Sequence, residues 1–287
     1  MSLSDYTIRP IRIVSGSSSV VFTEPSTFTL RLPQAGFRTG RDEVCLKSLT
    51  VYYSWFNISA EKGNNQFSYH WPGAGDFPVV MADGIWSFDD MMAYLRMVMR
   101  KNGHYLVDQA GAEQYYLNLV LNPVLYCLSL TATPLPTALP DGWTNPANID
   151  LVAAAGQTPQ LIVPSGFSKV TGFATGAYPS APSTAIYQVN SGRPQITDVT
   201  ALNLLSNLCD STGFSFDHRV LASFVQPAGR PGSLITIEPA IPDWVPVQQQ
   251  QDFSEITLTL VDQLMRPVHI HDPTGMVAIL NVRRRRD

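Results

Sequence analysis

Asp252-Phe253-Ser254-Glu255-Ile256-Thr257-Leu258-Thr259-Leu260-Val261-Asp262-Gln263-Leu264-Met265-Arg266-Pro267-Val268-His269-Ile270-His271-Asp272-Pro273-Thr274-Gly275-Met276-Val277-Ala278-Ile279-Leu280-Asn281-Val282 runs straight into Arg283, Arg284, Arg285 and Arg286 before a closing Asp287. Ile256, Leu258 and Leu260 alternate with Glu255, Thr257 and Thr259, which is the period of a half-buried strand. Asp272-Pro273-Thr274-Gly275 reads as a turn, because proline presets φ and glycine tolerates positive φ. Residues 276–282 are apolar on both alternating faces, which predicts a strand covered on both sides. No linker separates that strand from the arginines. A buried strand ending in a basic cluster suits a subunit that assembles better than it suits an enzyme.

The composition of the rest supports a β protein. Of 287 residues, 45% are apolar and only 15% charged, against roughly 25% charged in ordinary soluble domains. With 22 prolines and 19 glycines, this points to a loop-rich chain that keeps much of its surface against something else. A net charge of −4 argues against a general nucleic-acid binder, so any such contact has to be local. Cys45, Cys127 and Cys209 are widely spaced. An odd, sparse count fits a reducing compartment and no disulfide framework. The N-terminus shows no secretory pattern, and no window is apolar enough to span a membrane. The chain is therefore expected to be soluble and made in the cytosol, and Asn57-Ile58-Ser59 is read as a chance glycosylation match.

Taken in order, residues 6–14, 20–23 and 28–32 read as short strands. Residues 33–41 read as a loop, and 43–58 as a long β-prone run. A turn at Lys62-Gly63-Asn64-Asn65 then predicts a hairpin with 67–71 running back. Only one helix is convincing. Ser87 caps it with Asp90 three residues on, and Phe88, Met91, Met92, Leu95, Val98 and Met99 share one face. Arg96, Arg100 and Lys101 suit its C-terminal dipole, and Gly103 its C-cap. Residues 115–120 and 124–131 flank Asn122-Pro123 as a second hairpin. Residues 133–159 are a proline-rich loop, 161–163 and 165–172 a small packed piece, and 178–183 a linker back. Strands resume at 185–189, 220–225, 233–237 and 244–247. Residues 199–208 fit a strand or, through Leu202, Leu205 and Leu208, a helix. Many short strands with Pro/Gly turns make a sandwich or barrel, and eight or so around an insertion suit a jelly roll.

No catalytic constellation emerges. His269 and His271 stand at i and i+2, as in some zinc sites, but no third ligand is near in sequence and Val268 and Ile270 claim the core face. They are read as exposed polar residues. Asp89 and Asp90 lie in the first helical turn, where acids favour the dipole, and the methionines of the helix are read as core. Nucleophile elbows and phosphate loops are missing. The four arginines have three readings: contact with phosphates or an acidic partner edge, a solvated tail that guards a strand end, or burial at a subunit interface.

A family resemblance rests on Arg230-Pro231-Gly232-Ser233-Leu234-Ile235, Glu238-Pro239, Pro242-Asp243-Trp244-Val245-Pro246-Val247, Glu255-Ile256, Leu260-Val261-Asp262-Gln263, Arg266-Pro267-Val268, Asp272-Pro273, Ala278-Ile279-Leu280 and Arg283-Arg284. It extends to residues 49–56, Phe67-Ser68-Tyr69, Ala82-Asp83-Gly84-Ile85-Trp86-Ser87-Phe88-Asp89-Asp90, Gly166-Phe167 and Gly172-Phe173. Together these resemble the penton (minor capsid) proteins of Polinton/Maverick elements, adinto-like viruses and virophage-like viruses, over most of the chain outside 133–159.

That resemblance implies a mostly β fold, a single jelly-roll β-sandwich with an inserted small α+β subdomain. Residues 1–60 and 185–287 would form the roll and 61–184 the insertion. It implies a virion protein without enzymatic activity or cofactor, forming homopentamers at icosahedral vertices among trimers of double jelly-roll major capsid protein. Arg283, Arg284, Arg285 and Arg286 become candidate assembly or DNA-facing residues, and Arg266 and Trp244 candidate subunit-interface residues. No Arg-Gly-Asp tripeptide occurs. Two rivals remain: a carbohydrate-binding attachment module using Trp71, Trp86, Trp143 or Trp244, and a cupin-type enzyme with His269 and His271 as metal ligands.

Overall fold

The structure, a computed structural model, describes residues 6–15, 17–24, 26–32, 42–209, 219–225, 232–247 and 254–285. The expected loop 33–41 lies outside them. The chain begins with β1 (Tyr6–Val14), β2 (Val20–Glu24), β3 (Thr27–Arg31) and β4 (Asp42–Tyr52). It continues through β5 (Gln66–Trp71), β6 (Gly75–Val80), helix α1 (Phe88–Lys101), β7 (Leu106–Val107), β8 (Glu113–Gln114), β9 (Leu117–Asn122) and β10 (Cys127–Ala132). Then come α2 (Leu151–Ala154), β11 (Gln160–Val163), α3 (Ser165–Thr171), β12 (Gly176–Tyr178) and β13 (Tyr187–Asn190). It closes with β14 (Ala201–Ser206), β15 (Val220–Val225), β16 (Leu234–Ile237), β17 (Val245–Pro246), β18 (Glu255–Asp262) and β19 (Val277–Arg285). The chain divides into two compact units, 1–55 with 199–287, and 56–198.

The first unit has two antiparallel sheets. One runs β1-β19-β4-β16, with β17 also on β4, and the other β15-β14-β18-β3-β2. The pairing is nested: β1 with β19, β3 with β18, β4 with β16, and β14 with β15. A long hairpin rolled on itself gives this order. Rolling brings β19 beside β4 and β18 beside β14. These eight strands in two sheets form a jelly roll. In β18, Ile256, Leu258 and Leu260 are buried, while Thr257 and Thr259 face outward and meet Thr29 and Thr27 across the ladder, both at 3.2 Å. β14 resolves the helix-or-strand ambiguity as strand. Leucines at 202 and 204 face the core, and hydrogen bonding to both neighbours outweighs local helical spacing.

The terminal strand differs from expectation in one respect. Ala278, Leu280 and Val282 are buried, but Val277, Ile279 and Asn281 on the other face are only half-buried. β19 is central within its sheet, flanked by β1 and β4. Its position along the hydrogen-bonding direction therefore suits its apolar character, although its two faces are unequally covered.

The second unit holds a four-stranded sheet β12-β11-β5-β6, a three-stranded sheet β13-β10-β9, a β7-β8 ribbon and the helices. α1 forms as read. Ser87 Oγ accepts from Asp90 N–H at 3.1 Å, and Asp90 Oδ2 accepts from Ser87 N–H at 3.0 Å. Gly103, at φ +74°, ends the helix. Its N–H reaches Arg100 O at 3.0 Å, and that of His104 reaches Met99 O at 2.8 Å, the paired bonds of a Schellman end. Met91, Met92, Leu95 and Met99 are buried in the core with Phe67, Tyr69 and Trp71.

Three connections differ from the sequence reading. β5 pairs with β6 and β11, not with the strand before it, because β4 already has β19 and β16 on its two edges. Residues 178–183 are not a linker: β12 pairs with β11, Gln160 Nε2 donates to Pro179 O at 2.7 Å, and Ser183 N–H to Thr158 Oγ1 at 3.0 Å. β13 pairs with β10 inside the second unit, so the chain re-enters the roll at 199 rather than 185.

Candidate assembly surface

Register places acid opposite base at the end of the terminal strand. Arg283 lies across from Glu43 and Arg284 across from Asp42. Arg284 holds Asp42 bidentately, Nε to Oδ1 and Nη2 to Oδ2, both at 2.7 Å. The Asp42 side chain is fully buried, and that of Arg284 is 32% exposed. This fork lifts the Arg284 guanidinium above its already high usual pKa. A planar guanidinium matches a carboxylate in this way, whereas an ammonium cannot. Arg283 pairs with Glu43 and lies over the Trp244 ring, 4.5 Å from its centroid, a cation–π contact.

The candidates thus divide. Arg283 and Trp244 come together with Glu43 on one face of the β4–β19 ladder, and Arg284 meets Asp42 on the other. Arg285 continues the ladder opposite Tyr6, and Arg286 lies outside the described residues. Arg266 sits apart, at a turn that Asp262 organises. Asp262 Oδ1 accepts from the N–H groups of Leu264 and Arg266 at 2.8 and 2.9 Å, and its Oδ2 takes the Arg266 Nε at 2.8 Å. Asp42 and Glu43 were missed as functional partners. The signal was available: an acidic pair opening one strand and a basic run ending another will match if the two lie antiparallel in register.

Beside the ion pairs, at the edge strand β1, a cavity of about 300 Å³ is lined by Thr7, Arg9, Pro10, Ile11, Leu32, Val282 and Arg284. Exposed arginines and a proline on β1 mark a protected sheet edge.

His269 and His271 stack with ring centroids 4.3 Å apart, both exposed. They lie in the connection between β18 and β19 rather than on a strand. Among the described residues no group of three His, Cys, Asp or Glu side chains could hold a metal ion. The three cysteines are free and buried. Burial pushes the Cys45 thiol up and that of Cys209 up to about 12, the opposite of an activated nucleophile. Asp89 and Asp90 stay in the first turn of α1, where hydrogen bonds from Ser87 hold the Asp90 carboxyl below its usual range.

One buried titratable cluster was not foreseen. The His104 ring stacks on Trp71 at 4.4 Å, and its Nδ1 bonds the Tyr69 hydroxyl at 2.8 Å. Asn102 Nδ2 donates to that hydroxyl at 2.9 Å, leaving the hydroxyl hydrogen for Nδ1, which accepts only in a neutral ring. Burial pushes His104 down to about 4 and Tyr69 up to about 12.

No family model matches the sequence, and no curated protein matches it. The solved structures similar to it include two that match along almost the whole chain. The mavirus penton protein shares 9% identity, with 98% of this chain and 99% of that one covered, at a TM-score of 0.47. A chain of the Sputnik virophage shares 11% identity, with 98% of each covered, at a TM-score of 0.42. The jelly-roll assignment stands on strand order and register without them.

Proposed function

We propose that this chain is a structural capsid subunit, a penton that forms homopentamers at icosahedral vertices and acts by assembly rather than by chemistry. The carrying observation is the nested four-pair jelly roll of residues 1–55 and 199–287. It is a fold used by viral capsids, lectins and cupins alike, here joined to the penton-like sequence blocks. The other two uses find less support. Of the tryptophans a sugar would stack on, Trp71 is 2% exposed, Trp86 and Trp143 pack partly buried against the core, and Trp244 lies under Arg283. A cupin would need a metal-ligand set, and among the described residues no three His, Cys, Asp or Glu side chains gather to make one. The edge of β1, with its cavity and arginines, is the surface we assign to subunit contact. Partners would be four further copies and trimers of the major capsid protein, within a virion. Arg283 and Arg284 each answer a carboxylate of their own chain, which favours stapling of β19 to β4 over binding packaged DNA.

Multi-angle light scattering on the purified full chain tests this. A mass of five copies is expected. A monomer that binds glycans would overturn the proposal in favour of the attachment module.

A further inference from the structure

The hairpin joining β9 to β10 ends in Pro123-Val124-Leu125-Tyr126, and its side chains face solvent. Val124 is 89% exposed, Leu125 61% and Tyr126 62%, with Val120 and Leu121 behind them at 58% and 38%. A hairpin turn is ordinarily where polar residues sit, and exposed apolar patches mark partner or membrane contacts. Tyr126 also holds φ +50°, a left-handed conformation that glycine or asparagine adopts more readily.

Two further observations select the partner. Residues 115–140 contain no Asp, Glu, Lys, Arg or His, and neither does β13 on the far side of β10. The strands β13, β10 and β9 therefore carry no charged residue of their own, as entry into a bilayer requires. The turn also satisfies amides that would be costly to desolvate. Asn122 Oδ1 accepts from Val124 N–H at 3.1 Å and Leu125 N–H at 3.2 Å. The tip projects apolar side chains from a self-bonded turn, with a tyrosine whose ring is apolar and whose hydroxyl suits the headgroup level.

We infer that the Pro123-Val124-Leu125-Tyr126 hairpin tip is a lipid-contacting element that inserts into the interface of a bilayer. The inference does not depend on the capsid reading, because it concerns the purified chain in any oligomeric state.

Flotation of the full chain with neutral phosphatidylcholine vesicles tests it, alongside the double variant Val124→Asp/Leu125→Asp. The wild type should float, and the variant should lose about tenfold or more of its vesicle-bound fraction. Far-UV circular dichroism should be unchanged, since both side chains are exposed. Should the double variant fail to fold, Leu125→Trp replaces it as the probe, and its emission should shift to the blue on adding vesicles. A wild type that stays in the dense fraction, equal flotation of the folded double variant, or an unshifted emission spectrum of the Leu125→Trp variant would each overturn the inference. The first of these would leave an apolar protein pocket as the occupant.

Discussion

Arg284 illustrates how one residue at a strand end can serve the fold before it serves a partner. Its guanidinium donates two hydrogen bonds directly to a carboxylate that has no solvent exposure. Replacing Arg284 with Ala would leave the Asp42 charge buried without that fork, a loss of about 3 kcal/mol in stability. Urea denaturation should show the fall in midpoint. The double change Asp42→Leu/Arg284→Met should recover most of it, because removing both charges removes the desolvation penalty. Arg283 is stapled to the same strand through Glu43 and covers Trp244.

At the scale of elements, close backbone approaches decide where the short helices can sit. Gly166, in the first turn of α3, packs so tightly on the turn at Gly63 that an added Cβ would lie 1.8 Å from the Gly63 carbonyl oxygen. Backbone cannot move aside as a side chain can. Gly166→Ala should therefore destabilise the second unit by about 2 kcal/mol or more, read as a lower thermal midpoint. Gly172 ends the same helix at φ +76°, with its Cβ position 2.6 Å from the Gly192 carbonyl. Both glycines have a steric reason to be glycine. Phe167 between them stacks on Phe67 at 4.7 Å, which ties α3 to the sheet through β5.

For the molecule as a whole, each unit has its own core, so one unfolding midpoint need not describe both. The second unit carries a pH dependence of its own. His104 is neutral in the fold, with its pKa lowered to about 4 from 6.5. As pH falls, the unfolded chain takes up a proton near 6.5, while the folded chain resists until about 4. Stability is therefore complete above 6.5 and is lost between the two values, by about 3 kcal/mol in all. Thermal melts between pH 7 and 4 should show the transition of this unit falling. His104→Phe, which keeps the stack on Trp71, should flatten that part of the profile. Equal slopes in the two proteins would show that other groups govern acid sensitivity.

Read alone, the amino-acid sequence determined the elements whose signals are local. α1 was legible from Ser87 and Asp90 at one end, Gly103 at the other and the Met91–Leu95–Met99 face between them. β18 followed from Ile256, Leu258 and Leu260, and the β9–β10 hairpin from its turn. These depend on residues a few positions apart, where periodicity and caps are visible. Tertiary structure alone decided the partners. β5 turned to β6 and β11, β13 joined β10, and residues 201–206 became a strand between β15 and β18. It also decided that two arginines at the chain end meet two acids near residue 42. Such pairings join residues far apart in the chain, and their register is set by the whole rolled hairpin, to which no local pattern is sensitive.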